Sequence, residues 1–126
     1  MKLLIDTQAL IWFIENDKRL PFSVKSLMED AESLMISIAS LWEITIKVSL
    51  GKLSLSQDLS LFINALIFSG FDILPIKISH LITLNSLQYV HRDPFDRLII
   101  AQAIKEHVSV ISSDSIFKEY PVKIIW

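Results

Sequence analysis

Four acidic residues, Asp6, Glu43, Asp96 and Asp114, stand where this chain could do chemistry. Asp6 ends the run Lys2-Leu3-Leu4-Ile5, and Asp114 follows Val108-Ser109-Val110-Ile111. Glu43 sits within Ala39-Ser40-Leu41-Trp42-Glu43-Ile44, and Asp96 opens onto Leu98-Ile99-Ile100-Ala101. Each is flanked by core-type residues, so each carboxylate is expected at the rim of the core. Gathered there, they repel. A pair about 4 Å apart costs on the order of 4 kcal/mol at an effective dielectric near 20. Such groups take up protons or bind a cation. Hard oxygen donors with room for water suit Mg²⁺ or Mn²⁺, and a metal-dependent phosphodiester hydrolase is the chemistry this donor set implies.

Every one of these acids also has a purely structural reading. Asp6 can cap a helix N-terminus, and a cap can still turn its second oxygen toward a metal. Glu43 can pair with Lys47 at i+4, a surface contact worth about 0.3–0.5 kcal/mol; its helix neighbours Ala39, Trp42 and Ile46 place it beside an apolar stripe instead. In Asp93-Pro94-Phe95-Asp96 the first residue reads as a cap and the proline as the first helical position. Asp96 shares a face with Ile100 and Ala103 and is expected to point inward. Asp114, in Ser112-Ser113-Asp114-Ser115, can be a turn former. Two acids at strand ends and two on inward helix faces make a stronger case together than singly.

The elements that must position them alternate. Apolar runs at 3–5, 34–36, 71–74, 108–111 and 122–125 read as buried strands. Helical patterns cover 7–15, a segment capped by Ser23 and reaching 32, 39–50 before Gly51, 57–69 before Gly70, 79–89 and 94–106. The alternation predicts an α/β fold with a largely parallel sheet. Sites in such sheets lie beyond the carboxyl ends of the strands, where strand order reverses. If the strands carrying Asp6 and Asp114 are neighbours, the site lies between them.

Length fits one domain spanning 1–126. Apolar residues make up 52% and mean hydropathy is +0.48, which leaves apolar side chains to stay outside and hints at a protein partner or a homodimer. There is no cysteine, so disulfides and thiolate zinc sites are excluded. Asp6 interrupts the start MKLLID too early for a signal peptide, and no stretch approaches the ~18 apolar residues of a membrane span; a cytoplasmic protein is expected. The formal charge of −2 shows no strongly basic nucleic-acid footprint, although the remainder without the four acids carries +2. His80, His91 and His107 lack zinc-like spacing, and neither a nucleophile elbow nor a Gly-rich phosphate loop is present. Trp12 and Trp42 lie on helical patterns and are expected in the core rather than as base-stacking platforms.

The segments LLIDTQALIWFIENDKRL, SIASLWEITIKVSLGKLSL, HRDPFDRLIIAQAI and VISSDSIFKEYPVKIIW together resemble PIN-domain ribonucleases, most closely bacterial toxins of the VapC type. The resemblance covers almost the whole chain in the family's order. It implies a PIN-like three-layer fold, a parallel sheet of about five strands in order 3-2-1-4-5 flanked by helices. It also implies Mg²⁺- or Mn²⁺-dependent cleavage of RNA, with Asp6, Glu43, Asp96 and Asp114 matching the family's acidic positions and Asp6 and Asp96 the surest metal ligands. A cognate antitoxin that blocks the pocket and a homodimer are implied as partners. Two positions depart from the pattern: Gln8 stands where histidine is frequent, and Ser112 replaces threonine but keeps the hydroxyl.

Water as nucleophile would leave 5′-phosphate and 3′-hydroxyl ends. Arg92, Arg97, Lys47 and Lys52 lie near the acids in sequence and could hold flanking phosphates, or be ordinary solvated charges. A haloacid-dehalogenase-like phosphatase needs a second Asp where Gln8 stands, and a receiver domain needs one where Pro75 stands. The serious rival is a non-catalytic PIN-like scaffold that binds RNA or protein without cutting, for which four repelling carboxylates have no use.

Overall fold

In the computed structural model, which describes residues Met1–Trp126, five short apolar strands stack side by side and all run the same way. They are β1 (Lys2–Ile5), β2 (Ser33–Ser37), β3 (Asp72–Leu74), β4 (Ser109–Ile111) and β5 (Ile124–Ile125), in the order β3-β2-β1-β4-β5. Parallel strands need crossovers. Helices α1 (Thr7–Ile14), α2 (Phe22–Glu29), α3 (Ile38–Ser49), α4 (Leu59–Phe68), α5 (Ile78–Ser86) and α6 (Pro94–Glu106) supply them, with a 3₁₀ turn at Ser115–Glu119. The α/β architecture and the strand order are those expected from the sequence. No helix is long and apolar enough to cross a membrane.

Central strands buried on both faces must be apolar throughout. Leu3, Leu4 and Ile5 of β1 are fully buried, and their alternation divides the core. Leu3 and Ile5 join Leu10, Met28, Ile44, Phe62 and Leu66 on one face; Leu4 joins Ile99, Ile100, Val110 and Phe117 on the other. The outer helices thus form two layers about the sheet. Strand order reverses at β1, between β2 on one side and β4 on the other, and there the register sets Ile5 beside Ile111. Asp6 and Ser112 therefore leave the sheet side by side.

Helix boundaries depart from expectation where one residue overrides the pattern. Ser23 does not cap α2: the helix starts at Phe22, because Pro21 (φ −62°, ψ 145°) already sets the chain's entry and needs no N–H bond. That helix ends at Glu29 rather than 32. Helix α4 begins after Asp58, whose carboxylate accepts from the Leu61 N–H at 3.0 Å. Helix α5 stops at Ser86 instead of 89, and the Gln88 carbonyl accepts from the Arg97 guanidinium. Helix α6 spans 94–106 as read, with Asp93 accepting from the Phe95 and Asp96 N–H groups.

Candidate active site

Asp6 emerges from β1 directly into α1, and its Oδ1 accepts the Ala9 N–H at 2.8 Å as an N-cap. The cap fixes this carboxylate at the carboxyl end of the central strand. Glu43 comes one turn into α3, a helix that starts directly from β2 because Ser37 Oγ accepts the Ala39 N–H at 2.9 Å. Thr7 Oγ1 donates to Ser40 Oγ at 3.0 Å and ties α1 to α3. Asp96 is held in the first turn of α6 by the Asp93-Pro94 start. Asp114 follows β4, where its N–H donates to Ser112 Oγ and its Oδ1 accepts from Ile116 to begin the 3₁₀ turn.

These four side chains line one cavity of about 350 Å³, together with Asp93, Lys47, Thr7, Gln8, Ser113 and Ile11. Only Ile11 is apolar. Asp6 and Glu43 are buried, Asp96 is half-buried, and Asp114 is exposed at the rim. Burial pushes the Asp6 carboxyl up to about 6; the Asp114 and Glu43 charges add to this, while hydrogen bonds from Ser112 and Ala9 oppose it. Asp96 also rises to about 6, first by burial, then by the Asp93 and Glu43 charges, against a hydrogen bond from His91. Two acids so perturbed in one cleft make it the candidate functional site.

Glu43 shows both of its readings at once. Its Oε2 accepts from Lys47 Nζ at 2.7 Å, while Oε1 is buried with no partner at all. A buried acceptor left unpaired costs about 1–3 kcal/mol, more when charged, so the oxygen is short of a positive neighbour. The donor set is all hard oxygen and net negative, which fits Mg²⁺ or Mn²⁺. No three Asp, Glu or His side chains close into a ready-made cage around one point. The arrangement therefore suits an ion that keeps much of its water and uses one or two carboxylates directly, as Mg²⁺ commonly does.

The basic residues separate. Lys47 lines the cavity. Arg97 does not: its guanidinium is buried, donates from Nη1 to the Gln88 carbonyl at 3.0 Å and to Tyr120 Oη at 3.1 Å, and lies 4.7 Å over the Tyr89 ring. Its place in α6 turns it toward the chain's interior, away from any phosphate at the acids. Arg92 is exposed and lines a neighbouring hollow with Tyr89 and Arg97, while Lys52 is exposed after α3; neither lines the acidic cavity. Trp42 is 56% exposed rather than in the core, its ring edge-on to Phe95 at 5.2 Å. Trp12 is half-buried beneath Arg19 and beside Trp126.

The histidines lack zinc-like spacing, but His91 has a place beside the acids all the same. Its Nε2 lies 3.3 Å from Asp96 Oδ2, and its Nδ1 2.6 Å from Tyr120 Oη. The one signal available was its place five residues before Asp96.

A family model described as the PIN domain matches residues 3–123. No curated protein matches the chain. Among solved structures, the chain is similar to VapBC2 from Rickettsia felis bound to a DNA fragment from its promoter, with a TM-score of 0.76, 17% identity, and 99% of this chain and 98% of that one covered. It is similar to DNA-bound VapBC from Salmonella typhimurium, with a TM-score of 0.74, 18% identity and coverage of 99% and 97%. It is similar also to FitAcB from Neisseria gonorrhoeae, with a TM-score of 0.72, 19% identity and coverage of 98% and 96%.

Proposed function

The chain belongs to the PIN-domain family, and from that premise we propose that it is a divalent-metal-dependent endoribonuclease, the toxin of a toxin–antitoxin pair, working as a single domain over 1–126. The observation that carries the reading is the partnerless, buried Glu43 Oε1 set among Asp6, Asp96 and Asp114 at the switch point of the sheet. One or two of Asp6, Glu43 and Asp96 would hold Mg²⁺ or Mn²⁺ directly, and the others, with Asp114 at the rim, would act through its water. When bound, such an ion supplies Lewis acidity toward a phosphodiester and acidifies water.

The chain's own residues do the rest. The two carboxyls raised to about 6 hold protons in the metal-free fold below that pH, where a cation would have to displace them. Lys47 draws Glu43 Oε2 aside and offsets part of the charge that would repel a polyanion. Gln8 and Ser113, exposed at the mouth, offer hydrogen bonds to a strand entering the cavity. Hydrolysis by water leaves 5′-phosphate and 3′-hydroxyl ends.

Complexes named VapBC and FitAcB among the similar structures support a partner protein for this chain too. An antitoxin arginine, with its planar fork, could neutralise the same carboxylates. Phe22 (85% exposed), Phe68 (93%) and Ile78 (77%) give a partner or a second copy apolar surface to cover. The setting is the cytoplasm. The test is to incubate purified protein with end-labelled RNA, with and without Mg²⁺ or Mn²⁺. Metal-dependent cut ends bearing 5′-phosphate support the reading; intact RNA under all conditions favours the non-catalytic scaffold.

A further inference from the structure

The hydrogen bonds behind Asp96 have a direction, and it is set by arginine. A guanidinium has donors only, so at 3.1 Å from Arg97 Nη1 the Tyr120 oxygen must accept. The His91 backbone N–H, 3.4 Å away, points at the same oxygen. A phenol oxygen has two lone pairs. Were His91 Nδ1 also a donor, three hydrogens would compete for them, and the phenol's own hydrogen would be left without an acceptor on a buried side chain. Buried polar groups are rarely left so. Tyr120 therefore donates to Nδ1 at 2.6 Å, and the ring carries its proton on Nε2, toward Asp96 Oδ2 at 3.3 Å. Donation runs Arg97 to Tyr120 to His91 to Asp96.

We propose that His91 is a positioning residue for the Asp96 carboxylate, its tautomer and ring plane held by Tyr120 and Arg97. Asp96 needs such a tether. It stands on the first turn of α6 beside the Asp93 cap, with Glu43 across the cavity, and those charges push it outward. Holding Oδ2 leaves Oδ1, which no hydrogen bond of the fold uses, to serve the pocket. The tether's far end is firm: Tyr120 is 4% exposed, its ring meets the imidazole edge-on at 5.5 Å, and Arg97 is pinned by Gln88 and Tyr89. Partners that orient a metal-binding side chain from behind commonly contribute about 10–100-fold in affinity or activity.

The inference rests on the metal-dependent reading above, and one experiment separates the two. Mn²⁺ affinity is measured by calorimetry, without RNA, on the full chain and on His91→Gln, His91→Asn, Tyr120→Phe and Asp96→Asn, with metal-free melting as a check on folding. Glutamine carries its amide nitrogen near the imidazole Nε2, whereas asparagine reaches only toward Tyr120. Wild type and His91→Gln should bind alike within a few-fold. His91→Asn should lose about 10–100-fold, and Tyr120→Phe a smaller amount, since the ring keeps its place and loses only its tautomer. Cleavage rates at saturating metal should follow the same order. Equal Mn²⁺ affinity in His91→Asn and wild type, with Asp96→Asn impaired, overturns the positioning role alone. Failure of His91→Gln alongside His91→Asn overturns it as well, because the ring and not its donor would then matter. Absence of Mn²⁺ binding by the wild type overturns both this role and the nuclease reading.

Discussion

Two histidine–carboxylate pairs lie on the α6 side of the sheet, built alike and serving opposite ends. His80 is fully buried; its Nδ1 accepts the Lys77 N–H at 2.9 Å, and its Nε2 donates to Glu106 Oε2 at 2.9 Å. His91 likewise accepts at Nδ1 and faces Asp96 through Nε2. Yet Glu106 is held below the usual carboxylate range, by the His80 hydrogen bond first and by the Lys77 and Lys105 charges after it. Asp96 is pushed up to about 6 by burial, Asp93 and Glu43, in spite of its histidine. The pair is the same; what stands behind the carboxylate decides. Around Glu106 the polar bonds close: Gln102 Nε2 donates to the Pro75 carbonyl at 3.2 Å, and its Oε1 accepts from Ser37 Oγ, tying α6 to the N-cap of α3. Around Asp96 surplus negative charge is left over. One region completes its interactions and steadies the fold, and the other leaves them incomplete, as the proposed metal site requires.

The sharpest way to break this contrast is to neutralise each carboxylate in turn. Asp96→Asn should cost more than the roughly 100-fold seen when outer groups of a metal site are lost, whereas Glu106→Gln should leave cleavage within about twofold. Initial rates on labelled RNA decide it, and comparable losses in both would erase the distinction.

Stability should respond to pH with opposite signs in the two regions. Asp6, raised above its unfolded value, favours the metal-free fold fully below about 3.8, and that contribution is lost as pH rises through about 6. Asparagine keeps the cap and does not titrate. Asp6→Asn should therefore gain on wild type between pH 4 and 6.5 and hold a constant lead above, of at most about 3 kcal/mol. Urea unfolding in chelator across that range tests it. A pH-independent difference would count against a strained carboxylate.

Metal should supply what the incomplete region lacks. At a hundred times its Kd, Mn²⁺ stabilises a folded site by about 2.7 kcal/mol. Melting temperatures should rise with Mn²⁺ in wild type and in Glu106→Gln, and much less in Asp96→Asn. An equal rise in all three would place the ion elsewhere.

The smallest effect belongs to the closed region. Glu106, lowered below its unfolded value, stabilises the fold above about pH 4.5, and that contribution is lost as pH falls through its folded value. Glu106→Gln should cost less than about 1 kcal/mol at neutral pH and nothing in acid. A deficit that grows on acidification would contradict the assignment.

Much of this was legible in the sequence, because it is encoded locally. Uninterrupted apolar triplets such as Leu3-Leu4-Ile5 specify doubly buried strands, and Asp93-Pro94 specifies a helix start wherever it occurs. Asp6 could be placed in the lining of the acidic cavity because strand end and helix cap coincide in one residue. Readings failed where a distant contact or a stiff neighbour decides. Pro21 displaced the cap assigned to Ser23. Arg97 sits one residue from Asp96 yet turns to Tyr120, 23 positions on, and His91 finds the same tyrosine from an irregular segment with no periodicity to mark it. Trp42 is large and apolar but stays more than half exposed on α3, its ring edge-on to Phe95 of α6.

The strand order has a consequence for the ribosome. Asp6 leaves the central strand β1, but β1 gains its β4 neighbour only after Ser109–Ile111 have been made, and Asp114 follows later still. At about 5–20 residues per second, roughly 5–20 s separate the synthesis of the first acid from that of the last. During that interval the carboxylates cannot meet, so a nascent chain carries no assembled pocket. If the finished molecule harms its host, it does so only once Asp114 has been made, and a partner made at the same time has that interval in which to be waiting.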